Sequence, residues 1–146
     1  MIDIKIDFHD GAIAIEGIAI DHSMDLFLKT KEKFSLHFSE HKIKKSTVYR
    51  TEVADHYNTC FIESISIEYN LDAIKKVTIN FINEEKNNNH FGKKTNILIF
   101  LIKITKIKPR KHGLSEVEFP FTWGRINLIN DIKTSSSTLV LHYKNP

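Results

Sequence analysis

Alternation of apolar and polar residues at every second position constrains this chain more than any other feature. Ile2, Ile4, Ile6 and Phe8 share one parity, with Asp3, Lys5 and Asp7 on the other. A strand points successive side chains to opposite faces, so this spacing suits a half-buried strand; a helix stripe needs apolar residues three and four apart. Similar spacing recurs at Phe34-Leu36-Phe38, Thr47-Tyr49-Thr51-Val53, Phe61-Ile65-Ile67-Tyr69 and Val77-Ile79-Phe81. It returns at Val117-Phe119-Phe121-Trp123, Ile126-Leu128 and Leu139-Leu141-Tyr143. The apolar run Ile97 to Ile102 has the length of a buried strand, and alternation continues from it to Ile107. Asp10-Gly11 marks a tight turn, and a parity change at Glu16-Gly17 requires a bulge or a second turn. Pro120 restricts its stretch to an edge strand or a bulge.

One segment reads as a helix. Ser23 is a suitable N-cap, Asp25 lies in the first turn, and Met24, Phe27 and Leu28 would form the buried stripe of a helix reaching about Lys33. The expected class is α+β: mostly antiparallel β, about nine strands in a sandwich or curved sheet, with one short helix near residues 23–33. A length of 146 residues suits a single domain spanning 1–146. Residues 83–96, NEEKNNNHFGKKTN, read as a polar connection.

Charge is uneven along the chain. Residues 1–73 hold 8 Lys/Arg and 13 Asp/Glu, net −5, whereas residues 74–146 hold 13 and 5, net +8. Such a split steers a charged partner only where the halves separate in space. A single cysteine excludes a disulfide within these residues and any cysteine metal cluster. No apolar run approaches the roughly 18 residues of a membrane span. The first residues lack the basic-then-apolar order of a secretory signal, so a cytoplasmic protein is the expectation.

The stretch His37-Phe38-Ser39-Glu40-His41 matches H-x-x-E-H, a zinc peptidase pattern. HFSEHKIKKST resembles the HFxEH segment of pitrilysin-type peptidases, whose third ligand is a glutamate farther along; Glu116 and Glu118 lie in about that place. The chemistry needs a helix, because positions i and i+4 then lie one turn apart and two imidazoles reach one ion. On a strand the same positions are about 13 Å apart and share nothing. Phe34, Leu36 and Phe38 favour strand, so neither metal nor cofactor is expected, and zinc hydrolysis stays a remote alternative. No phosphate loop or serine elbow accompanies it.

Binding residues are easier to nominate. Ala54 to Thr59 reads as a connection between strands that presents Asp55, His56 and Tyr57, a mixture of charge and rigid ring typical of protein interfaces. Glu63, Glu68 and Asp72 follow, so these six residues form the candidate partner-binding set, suited to a basic partner such as a nuclease. Lys103, Lys106, Lys108, Arg110, Lys111 and His112 make the main basic cluster. It is either a lysine-fringed edge that deters strand pairing or, as the alternative function, a phosphate or nucleic-acid contact using Lys106, Lys108, Arg110 and Lys111.

Two stretches carry a family resemblance. IEGIAIDHSMDLF, residues 15–27, has a strand–glycine–strand–helix rhythm similar to that of small immunity proteins of bacterial polymorphic toxin and contact-dependent inhibition systems. FTWGRINLINDIKTSSSTLVLHY, residues 121–143, resembles their C-terminal strands, with a Trp-Gly followed by an Asp turn. The resemblance implies a small non-enzymatic cytoplasmic inhibitor that binds one cognate toxin domain and blocks its active site or substrate groove. The expected partner is that protein domain, not a membrane or nucleic acid. A composition of 22 Ile, 18 Lys and 11 Asn fits an AT-rich bacterial locus.

Overall fold

The computed structural model describes residues 1–57, 60–82, 102, 105–111, 115–131 and 136–144. Among them are eleven strands in two antiparallel sheets, the short α-helix Met24–Thr30, and helical residues at Ile102 and Thr105. The small sheet comprises β1 (Ile4–Asp7), β2 (Ala12–Ile15) and β3 (Ile18–Ala19). Its second hairpin turns on Glu16 and Gly17, both at positive φ (51° and 78°), so the parity change is a two-residue type I′ turn. Helix α1 (Met24–Thr30) follows and tightens into a 3-10 turn at Lys31–Lys33. Ser23 caps it by accepting from the Leu26 N–H.

The large sheet contains β4 (Ser39–Ile43), β5 (Ser46–Tyr57), β6 (Cys60–Asn70), β7 (Ala73–Ile82), β8 (Arg110–Lys111), β9 (Glu116–Pro120), β10 (Gly124–Asp131) and β11 (Ser136–Tyr143). Their order is β4-β5-β6-β7-β11-β10-β9-β8, two four-stranded meanders laid edge to edge. Every pair is antiparallel, and the two halves of the chain do not interleave in this sheet.

Register turns alternation into a core. Tyr49, Ile67, Val77, Leu141, Ile126 and Phe119 are successive cross-strand partners, and all six are fully buried. Each such side chain contributes about 1.5–3 kcal/mol relative to exposure. The small sheet adds Ile2, Ile4, Ile13 and Ile15 to the same cluster. Phe27 of α1 sits among the rings of Phe34, Phe38, Tyr49 and Tyr69 at centroid distances of 5.0–6.2 Å. One face of the large sheet is thus covered by α1 and the small sheet.

Four expectations need correction. Residues 34–38 form no strand: Phe34 and Phe38 are buried, yet they lie in a bent connection, and pairing begins at Ser39. Residues 54–57 are not a connection but the end of β5, and residues 58–59 of the expected connection lie outside the described residues. Leu28 is exposed because a seven-residue helix lying on a sheet fully buries only Phe27. Ile102 and Thr105 are helical, with the Lys106 N–H donating to the Ile102 carbonyl at 3.0 Å, so the alternation reaching Ile107 is not a strand there. The polar connection 83–96, the run 97–101, Lys103 and His112 lie outside the described residues. Among those described, no helix is long and apolar enough to cross a membrane.

Candidate partner-binding surfaces

The six nominated residues fall in three places. Asp55, His56, Tyr57 and Glu63 share one end of the β5–β6 hairpin, where two bulges re-aim the chain. Register shifts between Glu52 and Asp55, with Ala54 at φ 50°, and again between Ile62 and Ser64, which leaves Glu63 unpaired in the ladder and exposed. Asp55 is engaged: its carboxylate accepts from the His56 N–H at 2.7 Å and lies 3.6 Å from the Met1 amino group. The Ile2 N–H donates to the His56 carbonyl at 3.0 Å, fastening the N-terminal residues here. Tyr57 packs against the core, while His56 stands exposed with its ring edge-on to Phe61 at 5.2 Å.

Glu68 lies farther along β6, on the same sheet face as His56, 3.2 Å from Lys75. Asp72 lies in the turn beyond the opposite end of β6, about 25 Å from Glu63 at strand rise. Its carboxylate accepts from Ser23 Oγ (2.8 Å) and the Asp25 N–H (2.9 Å). The Asp25 N–H and then the Ser23 hydroxyl hold its pKa below the usual range. With the Met24 N–H bonded to its carbonyl, Asp72 pins the start of α1 to the β6–β7 turn. Its structural role is to position the helix.

A second feature was only partly legible as the Phe119-Phe121-Trp123 parity. Phe8, Phe121, Trp123, Tyr143 and His22 form a continuous row of rings at centroid distances of 4.9–6.2 Å. Beside it opens a cleft of about 340 Å³, with Asp10, His22 and Lys144 as its polar lining. The ring donors are committed inward: Trp123 Nε1 donates to the Phe8 carbonyl (2.9 Å) and Tyr143 Oη to the Gly11 carbonyl (2.8 Å). Burial, then the nearby Asp10 carboxylate, raises the Tyr143 pKa. One face of the Trp123 indole meets Gly11, where a Cβ would lie 2.5 Å from Cδ2, and Phe121 stacks on the indole at 5.1 Å. Gly124 is required too, since a Cβ there would overlap the His142 carbonyl oxygen. The row therefore fastens the β1–β2 turn across β10 and β11. The signal for it is Asp10-Gly11 paired with Trp123-Gly124, glycines that permit close approach.

The zinc pattern does not meet its geometric requirement. His37 lies in the bent connection and His41 in β4. His41 Nε2 is 3.2 Å from Ser39 Oγ, and Glu40 accepts the Tyr49 hydroxyl at 2.8 Å. Burial, then that bond to Glu40 and its charge, pushes the Tyr49 pKa up to about 12. Among the described residues no three His, Cys, Asp or Glu side chains are grouped to hold a metal. Lys106, Lys108, Arg110 and Lys111 are all exposed along and before β8, the two-residue edge of the sheet. That placement matches a charged edge that deters strand pairing.

No family model and no curated protein matches the chain. A solved structure does. The chain is similar to one in a complex described as Rhs1-CT in complex with cognate immunity protein RhsI1, with a TM-score of 0.55 and 17% identity. The similarity covers 97% of this chain and 88% of that one. At this identity the likeness is one of fold. The immunity-protein resemblance read from residues 15–27 and 121–143 holds at that level.

Proposed function

We propose that these 146 residues act as one domain, a non-enzymatic immunity protein that binds a single cognate toxin domain and blocks its active site or substrate groove. The observation that carries this reading is a fold likeness spanning nearly the whole chain to a structure of Rhs1-CT with its immunity protein. The architecture supports it physically. An eight-stranded sheet with α1 and the small sheet on one face leaves a mostly polar opposite face already ordered, and little ordering entropy is lost when a preformed face binds. The N-terminal segment, fixed at His56, Gly11 and Asp72, braces the covered side.

Co-expression with the toxin domain encoded beside the gene tests the proposal. The expected result is protection of the host cell and a stoichiometric complex on size-exclusion chromatography. A purified chain that neither binds that domain nor protects against it would overturn the reading.

A further inference from the structure

We infer that the partner docks on one end of the uncovered face of the large sheet, and that it presents a basic surface surrounding an apolar pocket. This rests on the immunity-protein reading and assigns it a surface.

Cross-strand register sorts the side chains on this face into rows about 7 Å apart along the strands. One row runs Glu68, Lys76, His142 and Arg125; the next contains Arg50, Thr78, Val140, Glu118 and Arg110. Cations outnumber carboxylates in both. The following row contains Glu52, Ser64, Asn80, Thr138, Ile129 and Glu116, and the last contains His56, Phe61, Ile82, Ser136 and Asp131. Among the described residues these two rows include three carboxylates and no Lys or Arg, and the bulged Glu63 adds a fourth carboxylate beside them. The face therefore carries a charge gradient along its strands over about 20 Å, reduced at Glu52, whose carboxylate accepts from the Arg50 guanidinium of the neighbouring row at 3.0 Å.

Outward apolar residues occur along the face, Val48 and Val140 among them, but the large exposed ones of β7 and β10 lie at the acidic end. Outward positions of a one-sided antiparallel sheet are expected to be polar. Ile82 and Ile129 occupy such positions at 37% and 38% exposure, and Phe61, half-buried, stands beside Ile82 under the His56 ring. Apolar centres ringed by polar groups are the usual anatomy of an interface, and a carboxylate rim selects a cationic partner surface. His56 and Glu63 belong to this patch; Asp55, Tyr57, Glu68 and Asp72 do not.

Binding of the full chain to the toxin domain encoded beside its gene, measured by biolayer interferometry at low and high salt, provides the test. Ile129→Asp is expected to weaken binding at least about tenfold, mainly through faster dissociation. Glu63→Lys is expected to slow association several-fold at low salt, with the effect shrinking at high salt. Lys76→Glu, at the other end of the face, is expected to stay within about twofold of wild type. Ile82→Asp serves as a second apolar variant should Ile129→Asp fail to fold by circular dichroism. Tight wild-type binding with these acidic-end variants unchanged would overturn the surface assignment and leave the immunity reading standing. Absence of wild-type binding would overturn the immunity reading, and the assignment with it.

Discussion

Gly11→Ala and Gly17→Ala form a matched pair that isolates one packing contact. Both glycines sit at nearly the same positive φ, 76° and 78°, so the backbone strain of adding a Cβ is the same, about 1 kcal/mol. Their surroundings differ. A Cβ at Gly17 meets nothing within 4 Å, whereas at Gly11 it would lie 2.5, 2.6 and 2.9 Å from three atoms of the Trp123 ring. Relief requires the indole to retreat by about 1 Å, the shortfall from ordinary van der Waals contact. Phe121, stacked at 5.1 Å, and the Nε1 bond to Phe8 oppose that retreat. Overpacking of this kind costs about 1–3 kcal/mol, so Gly11→Ala is expected to lose about 2–4 kcal/mol and Gly17→Ala about 1. Denaturant unfolding followed by fluorescence reads this directly, because Trp123 is the sole tryptophan. Its emission should also shift in native Gly11→Ala and stay unchanged in Gly17→Ala. Equal losses from the two variants would refute the argument that Trp123 packs on Gly11.

Three further outcomes are expected. Phe27→Ala should cost about 3–5 kcal/mol, since the ring is fully buried among four others; a loss below about 1.5 in urea unfolding would mean that α1 is not a keystone. Thr51→Val should stabilise by about 1 kcal/mol, because the Thr51 hydroxyl is buried without a hydrogen-bond partner and valine keeps the shape; a lower midpoint would show that the hydroxyl is satisfied. The His142 pKa is lowered by burial first, then by Arg125 and Lys76 against the opposing Glu116 and Glu118. Its neutral form is therefore favoured by folding, so its contribution is complete above the unfolded value near 6.5 and is lost as pH falls through the folded one. His142→Gln should flatten the fall in Tm below about pH 6.5, and an unchanged slope would contradict this.

Much of the large sheet was legible because one of its faces is buried. Strands β5, β6, β7, β10 and β11 alternate in sequence as they do in space, and Ser23 capped the expected helix. Strand β4 carried no pattern of its own for the opposite reason, and only its start was reached by extending the strand reading of residues 34–38: all five of its residues are exposed, so neither parity carries an apolar signal. It exists because a Lys44-Lys45 turn, with Lys44 at φ 55°, folds it back on β5, and two lysines are no turn signal in a sequence. Residues 34–38 erred in reverse. Their alternation reports burial of Phe34 and Phe38 under Phe27, which needs an extended chain but no ladder partner. Alternation measures the environment of side chains, while strand pairing is a property of the backbone.

The candidate surface was less legible, and the reason lies in antiparallel geometry. A net charge of −5 in one half of the chain and +8 in the other suggests polarity across the sheet, from early strands to late ones. Strand order does keep the halves apart. Yet the gradient on the uncovered face runs along the strands, perpendicular to that division. In a meander, height along the strand axis is set by distance from the nearest hairpin turn. Residues far apart in sequence, such as Glu52 and Glu116, therefore reach the same row, while Glu63 and Asp72, at opposite ends of one strand, lie about 25 Å apart. Grouping acids by sequence proximity joined a helix cap, a paired surface glutamate and an exposed bulge into one set. Grouping them by register brings Glu63 together with Glu52, Glu116 and the outward Ile82 and Ile129, and it is this grouping that a partner approaching the face would meet.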